Sequence, residues 1–336
     1  MMSDTSARAN LLIIKLRAIA ADHGADAATM QQGEFGLGAA AMAGDVAWVL
    51  LDRDARIGIG PAVIWALRRN ASQLHVLAED ATGLLARRAT AFRLPIRVWL
   101  VDGRALIEAL PDTILPPASL PDGHREFESL ILQAGASPVV EHGVLIGEVE
   151  GLEVCRVVAD AETGEPRLEV GIGAHDRETF QLLHGDRPKV EALADVVRTV
   201  AVHRRPGAAI HPLNRLAAPR GVRSVLIREP QMIGANSIAP IEPPFARPNV
   251  KDVLPCVAVA TIGDVPTLLV CSSGVDLDIV PFASDARRSS GITPCIVALP
   301  ARDLLPAQQL LADNLIDPVR FVTVDPPPAT DPPPSP

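Results

Sequence analysis

The stretch that decides the fold is residues 46–103, which read VAWVLLDRDARIGIGPAVIWALRRNASQLHVLAEDATGLLARRATAFRLPIRVWLVDG. Three apolar runs of strand length, at 46–51, 74–79 and 96–103, alternate here with two segments of helical composition. Proline fits the first turn of a helix, so Pro61 marks the start of the first of these helices. Strands that alternate with helices predict a parallel sheet covered by helices.

Outside this stretch, a helix is expected at 7–23, and two hairpins are expected in the second half of the chain. The first joins strands at 151–158 and 166–173, and the second turns at Gly263-Asp264. We therefore predict an α/β fold with two α/β units and mostly parallel or mixed sheets, the second unit containing the two hairpins.

A segment rich in proline, aspartate and glycine interrupts the pattern at 111–125 and predicts a linker. The predicted organisation is an N-terminal α/β domain at 1–110, this linker, a C-terminal α/β domain at 126–325 and a disordered proline-rich tail at 326–336.

The C-terminal domain continues the alternation of helices and strands. The predicted elements are a helix at 188–203, a strand VRSVLI at 222–227, strands at 295–300 and 319–324, and a helix from 306. The order strand, helix with Ala-Arg-Arg, strand occurs both in 74–106 and in 268–304. An internal duplication and two unrelated βαβ units both explain this pattern.

The composition restricts the core and the partners. The chain of 336 residues is 48% hydrophobic but only 3% aromatic and has no tyrosine, so its core is built from Ala, Val, Leu and Ile. Such cores suit strands that are buried on both faces. The net charge of −9 and the few aromatic side chains argue against nucleic-acid binding without excluding it.

The four cysteines and the N-terminus indicate a soluble, cytoplasmic protein with no membrane partner. The cysteines are far apart in sequence and lie in apolar runs, as buried reduced thiols do. No apolar run reaches the roughly 18 residues of a membrane span, and the N-terminus resembles an amphipathic helix more than a signal peptide.

No complete cofactor or nucleophile motif is present. The pairs Gly58-Ile-Gly60 and Gly171-Ile-Gly173 lack the third glycine of a dinucleotide fingerprint, and the chain has no phosphate-binding GxxxxGK[ST] loop. It also has no GxSxG and no HExxH. We therefore predict no cofactor.

The segment LEVGIGAHDRETF at 168–180 is the most polar strand end in the chain. It carries Glu169, His175 and Asp176, and Glu153 lies in the preceding strand. Ligands of open α/β sheets collect at the carboxyl ends of strands, so this is where we expect a site.

Two interpretations of Glu153 and Glu169 stay open. If their strands pair, the two carboxylates can share a divalent cation such as Mg²⁺ or Mn²⁺. They can equally lie on an exposed face with Arg156 and Arg167 as ion-pair partners.

The hairpin partly resembles metal-dependent nucleases of the PD-(D/E)xK type, which place an acidic residue on one strand and E-x-K on another. This chain has Glu169-Val-Gly171, without the lysine. The resemblance implies a Mg²⁺- or Mn²⁺-dependent hydrolase, with Glu153, Glu169, His175 and Asp176 as catalytic candidates and the two glutamates as metal ligands.

The phrase LEVGIGAHDRETF and the Ala-, Arg- and Pro-rich composition also resemble uncharacterised conserved proteins of high-GC actinobacteria. That resemblance implies no activity and no residue roles.

The function expected from the sequence is therefore binding, either self-association into a homo-oligomer or binding of another protein. The absence of a complete catalytic motif favours it, and the metal-dependent hydrolase is the alternative.

Overall fold

The computed structural model describes residues 2–52, 55–184, 188–205, 208, 211–245 and 254–324. Across these ranges, nine α-helices accompany three β-sheets, and both parallel and antiparallel strand pairs occur, which confirms the predicted α/β fold. None of these helices combines the length and the apolar character that a membrane span requires.

The contacts divide the chain into two compact units. The first comprises the described residues of 1–114, 276–285 and 305–319, and the second those of 115–275, 286–304 and 320–336. The domain boundaries at 111–125 stay a prediction, although two C-terminal segments belong by their contacts to the first unit. The proline-rich tail at 326–336 lies outside the described residues.

The elements are numbered in chain order. The strands are β1 (Gln31–Gly33), β2 (Gly38–Ala43), β3 (Val46–Leu51), β4 (Gln73–Ala78), β5 (Ile96–Asp102), β6 (Ala105–Glu108), β7 (Ser137–Glu141), β8 (Val144–Val149), β9 (Leu152–Ala159), β10 (Pro166–Val170), β11 (Ser237–Pro240), β12 (Cys256–Ile262), β13 (Val265–Cys271), β14 (Cys295–Leu299) and β15 (Arg320–Thr323). The helices are α1 (Met2–Asp22), α2 (Ile59–Leu67), α3 (Thr82–Ala89), α4 (Glu128–Gln133), α5 (Ala174–His184), α6 (Lys189–Arg204), α7 (Ala218–Arg228), α8 (Ile279–Ser290) and α9 (Pro306–Asp313).

The first unit is built on a six-stranded sheet in the order β1 to β6, in which β3, β4 and β5 are parallel and the other pairs antiparallel. Helix α1 covers one face, where its Leu16 and Ile19 pack in one cluster with Trp48, Leu50 and Leu77. Neighbouring strand residues point to opposite faces, and the intervening side chains are buried as well. The aliphatic strands are therefore covered on both faces, as their composition predicts.

Two C-terminal segments complete the first unit. Phe92 and Leu315 form an isolated antiparallel bridge, flanked by hydrogen bonds from the Arg93 amide to the Asn314 carbonyl (2.8 Å) and from the Ile316 amide to the Ala91 carbonyl (2.9 Å). The start of α2 also meets the start of α8 closely. A Cβ added to Gly60 would lie only 2.4 Å from the Leu277 carbonyl oxygen, so glycine is required there.

The second unit contains two further sheets. One is an antiparallel meander in the order β10-β9-β8-β7, with the predicted hairpin at β9 and β10. The other has the order β11-β12-β13-β14-β15, with the predicted hairpin at β12 and β13. Strands β13, β14 and β15 are parallel to one another.

The prediction of a strand at 222–227 is wrong, because these residues belong to helix α7. The run Val-Arg-Ser-Val-Leu-Ile contains β-branched residues that favour strands, but Val222 and Leu226 are four residues apart and both pack into one apolar cluster. The helical spacing of the buried positions outweighs the local preference.

The first and third sheets share one topology. In each, a helix precedes three antiparallel strands, and two helices then connect the third strand to two parallel ones. Both copies have Gly-Asp-Val at the hairpin turn, at 44–46 and 263–265, and Pro-x-Arg at the fifth strand, at 95–97 and 318–320. The shared topology favours the duplication. It pairs β4 with β14, however, whereas the sequence comparison of 74–106 with 268–304 pairs β4 with β13.

Helix α7 carries a buried network of charges in the second unit. Arg223, which is 0% exposed, donates hydrogen bonds from Nη1 to Glu141 Oε1 (2.6 Å) and from Nη2 to Glu148 Oε2 (3.1 Å). Arg220 pairs with the same two carboxylates. The turn before β9 lies in close contact with this helix, because a Cβ on Gly151 (φ +76°) would lie 2.3 Å from the Arg220 carbonyl oxygen.

We expect Arg223→Met to lower the free energy of unfolding by about 3–5 kcal/mol, because the variant leaves a buried carboxylate without its cation. The matched control is Arg228→Met on the same helix. Arg228 is half-exposed and pairs with Glu150 (2.6 Å), so its loss should cost less than about 1 kcal/mol. Urea unfolding measures the free energy of unfolding of both variants. An equal loss of stability in the two would contradict the claim that the buried network stabilises the fold more than the surface pair does.

Candidate functional site

The structure brings the predicted residues Glu153 and Glu169 to one arginine. Arg177 of α5 lies 3.3 Å through Nη1 from Glu153 Oε1 and 3.3 Å through Nε from Glu169 Oε2. Arg156 donates to Glu153 (2.7 Å) and Arg167 donates to Glu169 (2.8 Å). The two carboxylates are thus neighbours, but guanidinium groups occupy the positions that a divalent cation would need.

The other two predicted residues do not join this group. His175 and Asp176 are exposed at the start of α5, and Asp176 Oδ2 accepts a hydrogen bond from the Ile172 amide (2.6 Å). In the described part of the chain, no group of three or more His, Cys, Asp or Glu side chains could hold a metal ion. The catalytic and metal-binding roles of the four residues stay a prediction.

A second cluster of charges lies inside the first unit, where Asp278 meets the start of α2. Its Oδ1 accepts a hydrogen bond from the Gly60 amide (3.2 Å) and lies 3.7 Å from Arg88 Nη1. Burial raises the pKa of Asp278 to about 7, while Arg88 lowers it and Asp276 raises it further. Such a shift marks candidate functional groups, but here the carboxylate already caps a helix.

A second group with a perturbed pKa, His75, is packed between aromatic rings. Its imidazole stacks on Trp48, with ring centroids 4.1 Å apart, and its Nδ1 accepts a hydrogen bond from Trp99 Nε1 (2.9 Å). Burial, assisted by the charges of Arg97 and His23, lowers the pKa of His75 to about 4. The ring is therefore a neutral part of the core.

A recess of about 200 Å³ opens in the first unit where β3 and β4 end. These are the carboxyl ends of parallel strands, the usual place for ligands in α/β sheets. Its walls come from α1, from the end of β3 and from the residues after β4. The lining residues are Leu12, Lys15, Leu50, Leu51, Asp52, Ala55, Glu79 and Asp80.

Helix α1 is fixed beside this recess by a row of ion pairs. Arg8 binds Asp52 through Nε (2.7 Å) and Nη2 (3.0 Å), and Lys15 Nζ lies 2.6 Å from Glu79 Oε1. Further along the same helix, Asp22 pairs with Arg104 (2.6 Å). The three α1 residues are seven positions apart, so they lie on one side of the helix.

Asp80 differs from the other acidic residues of the recess. It is exposed at its rim and makes no hydrogen bond or ion pair with any residue that the structure describes, whereas Asp52 and Glu79 each have a cation. The exposed lining of the recess is therefore mainly polar, and it includes one carboxylate available to a ligand.

Sequence reasoning missed this site although a signal for it exists. Asp52 follows the predicted strand 46–51, and Glu79-Asp80 stands at the end of the next predicted strand. Carboxylates that follow two successive parallel strands lie at one edge of the sheet. Many sheet edges have a similar composition, and the cavity that makes this edge different cannot be predicted from the sequence alone.

The raised pKa of Asp278 predicts a specific pH dependence of stability. In the unfolded chain this group titrates near 3.8, so its stabilising contribution is complete below that pH and is lost as the pH rises through about 7. Asp278→Asn cannot titrate and lacks this loss. We expect the stability of the native sequence, relative to the variant, to fall between about pH 4 and about pH 7 in urea unfolding and to be constant above that range. A constant or rising difference within that range would contradict the assignment.

No protein-family model, curated protein or solved structure matches this chain. The choice among the three charged clusters, at Arg177, at Asp278 and at the recess, therefore depends on their geometry alone. The carboxylates at Arg177 and at the start of α2 are already bound within the protein. The recess at the ends of β3 and β4 has both space and a carboxylate without a partner among the described residues, so it is the candidate binding site.

Proposed function

We propose that this protein is a binding protein that takes a small organic cation into the recess between α1 and the ends of β3 and β4. The observation that carries this proposal is the carboxylate of Asp80, which lines the recess and has no partner in the described part of the chain.

The charge of the lining favours a cation over an anion. Three carboxylates face one ammonium group, so the lining carries a formal charge of −2. The ammonium of Lys15 is engaged by Glu79 (2.6 Å), and Arg8, beside the recess, is engaged by Asp52 (2.7 Å). An incoming anion would have to break one of these pairs, whereas an incoming ammonium can pair with Asp80 directly.

The size of the recess restricts the ligand further. The aliphatic lining residues are Leu12, Leu50, Leu51 and Ala55, and the last three are only 2%, 5% and 3% exposed. The ion pair with Asp80, rather than apolar contact, is therefore expected to contribute most of the affinity. A volume of about 200 Å³ accommodates a single short chain, and we therefore expect an alkylamine-like ligand of low molecular weight.

The second copy of the topology supplies a structural contrast. Asp303 follows β14 and precedes α9, as Asp80 follows β4 and precedes α3. Asp303 Oδ2 accepts a hydrogen bond from the Gly274 amide (2.7 Å), in the loop that follows the neighbouring strand β13. The aspartate between strand and helix is thus bound internally in one sheet and has no partner among the described residues in the other, which supports a ligand role for Asp80.

The binding test uses hexylammonium as the probe, with hexanoate and hexanol as ligands of similar shape and different charge. We expect hexylammonium to raise the melting temperature of the full chain, because a ligand that binds only the native state stabilises it. Asp80→Asn should abolish this increase without lowering the stability of the unliganded protein.

The matched control is Asp303→Asn. It should lower the melting temperature of the unliganded protein, because a buried amide loses its charged acceptor, and it should keep the response to hexylammonium. An equal response to hexanoate, or an undiminished response in Asp80→Asn, would contradict the proposal.

A second candidate function, self-association, is favoured by the outer side of α1. Leu11 and Ile14 are 67% and 63% exposed there, and Ala7 and Ala18 extend the stripe. The spacing of these four residues is that of a coiled-coil seam. Along the helix, the stripe has a small, a large, a large and a small side chain, and this order is the same in both directions. Two antiparallel copies of α1 can therefore place Leu11 of one copy against Ile14 of the other, as a two-fold interface requires.

We expect the resulting dimer to be weak, because a single helix pair buries less than the roughly 1,200 Å² of a stable interface. Analytical ultracentrifugation over a range of concentrations should detect it, and the double substitution Leu11→Gln/Ile14→Gln should shift the equilibrium to monomer. Leu132→Gln, at another exposed leucine, is the control. Identical behaviour of the native chain and the double variant would rule out this interface.

The location proposed for these activities is the cytoplasm. Four buried, unbridged cysteines are typical of a reducing compartment. The net charge of −9 supports small-molecule or protein partners over nucleic acids.

A further inference from the structure

Two of the four cysteines face each other across the hairpin of β12 and β13. Cys256 and Cys271 are partners in the register of these antiparallel strands. Directly opposed residues in such a pair have Cα atoms about 4.5–5.5 Å apart. Disulfides span Cα separations of about 4.4–6.8 Å, so the strand register places this pair within the Cα range of a disulfide.

We propose that Cys256 and Cys271 form a peroxide-oxidisable dithiol, in which Cys256 is the attacking thiolate and Cys271 the resolving thiol. The proposal is independent of the ligand recess, since it concerns a different sheet and different residues. Both cysteines are unbridged in the structure.

The first support is the buried arginine beside this pair. Arg223 Nη1 donates to the carbonyl oxygen of Val257, the residue that follows Cys256 (3.3 Å). Glu141 and Glu148 accept hydrogen bonds from the same guanidinium, and Arg220 adds a second positive charge. The two arginines are balanced by the two glutamates, and among these four charges Arg223 has the largest effect on Cys256 and favours its thiolate form.

The second support is the relation between the two sulfurs. Burial alone would raise the pKa of Cys256, but a hydrogen bond from the Cys271 thiol and the charge of Arg223 together hold it below its ordinary value, against the opposing charge of Glu141. Burial raises the pKa of Cys271, and its hydrogen bond to Cys256 raises it further. The two sulfurs thus differ in acidity, with Cys256 the more acidic, and a two-step oxidation needs one attacking and one resolving sulfur in contact.

The oxidant is hydrogen peroxide, which is close to water in size. The Cys256 thiolate attacks one peroxide oxygen, the O–O bond breaks, and the departing hydroxide takes up a proton to leave as water, which gives a sulfenic acid. The Cys271 sulfur then attacks the Cys256 sulfur, the S–O bond breaks, and the hydroxide leaves with the Cys271 proton as a second water. Two thiols are oxidised to one disulfide, and one peroxide is reduced to two waters.

The remaining two cysteines are internal controls. Burial raises the pKa of Cys155 to about 12, where Glu153 adds to the effect, and burial raises the pKa of Cys295 to about 12 as well. Neither is the register partner of another cysteine in the described strands. Because the thiolate is the reactive form, both should resist peroxide.

The test treats the folded full-length chain with graded hydrogen peroxide, unfolds it in an alkylating agent and maps the four cysteines by peptide mass spectrometry. We expect a Cys256–Cys271 disulfide, with a mass loss of about 2 Da, to form at least about tenfold faster than any modification of Cys155 or Cys295. Equal rates for all four cysteines, a different pairing, or four unmodified thiols would overturn the proposal.

Two variants assign the roles. In Cys271→Ala the resolving thiol is absent, so Cys256 should accumulate a sulfenic acid that dimedone labels. In Cys256→Ala, Cys271 should stay unlabelled. Circular dichroism verifies that both variants are folded, and the reversed labelling pattern would contradict the assignment. The measurement on the native chain stands even if a variant does not fold.

Discussion

Pairing of buried arginines with buried carboxylates is the constraint on which this structure depends. An interior of small aliphatic side chains offers few hydrogen-bonding partners, and an unpaired charge inside it is costly. Each unit therefore satisfies its buried charges internally: Arg87 and Arg88 bind Asp285 in the first unit, while Arg220 and Arg223 bind Glu141 and Glu148 in the second. These pairs join helices to sheets and helices to one another at fixed positions, because a guanidinium accepts only a few orientations of its partner.

The same constraint explains how much of the candidate site could be predicted. The hydrophobic pattern of 46–103 predicted the order of strands and helices, and the hairpin prediction brought Glu153 close to Glu169. It did not predict that Arg177 binds both, because that arginine belongs to a helix whose direction depends on tertiary packing. The helix at Ala218–Arg228 was missed for a related reason, since two of its buried positions are arginines that a hydrophobic pattern counts as exposed.

The first and third sheets share a topology but differ in the contacts of the aspartate that follows their fourth strand. Both copies keep the hairpin turn, the parallel crossovers and an aspartate after the fourth strand. In one copy this aspartate binds the neighbouring loop, and in the other it lines a cavity. A position that the fold needs in both copies would have the same contacts in both. The different contacts of Asp80 and Asp303 therefore show that the shared topology does not itself require an aspartate bound at this place.

The bridge between Phe92 and Leu315 has a consequence for synthesis on the ribosome. The hydrogen bond from Arg93 to the carbonyl of Asp313 joins residues 220 positions apart, and the Asp278 carboxylate that caps α2 comes 218 positions after Gly60. The strands of the first sheet leave the exit tunnel well before residues 276–285 and 305–319, which belong to the same unit. During that interval the apolar surface of the first unit lacks these segments, so the nascent chain is most exposed to aggregation and to chaperones before α9 emerges.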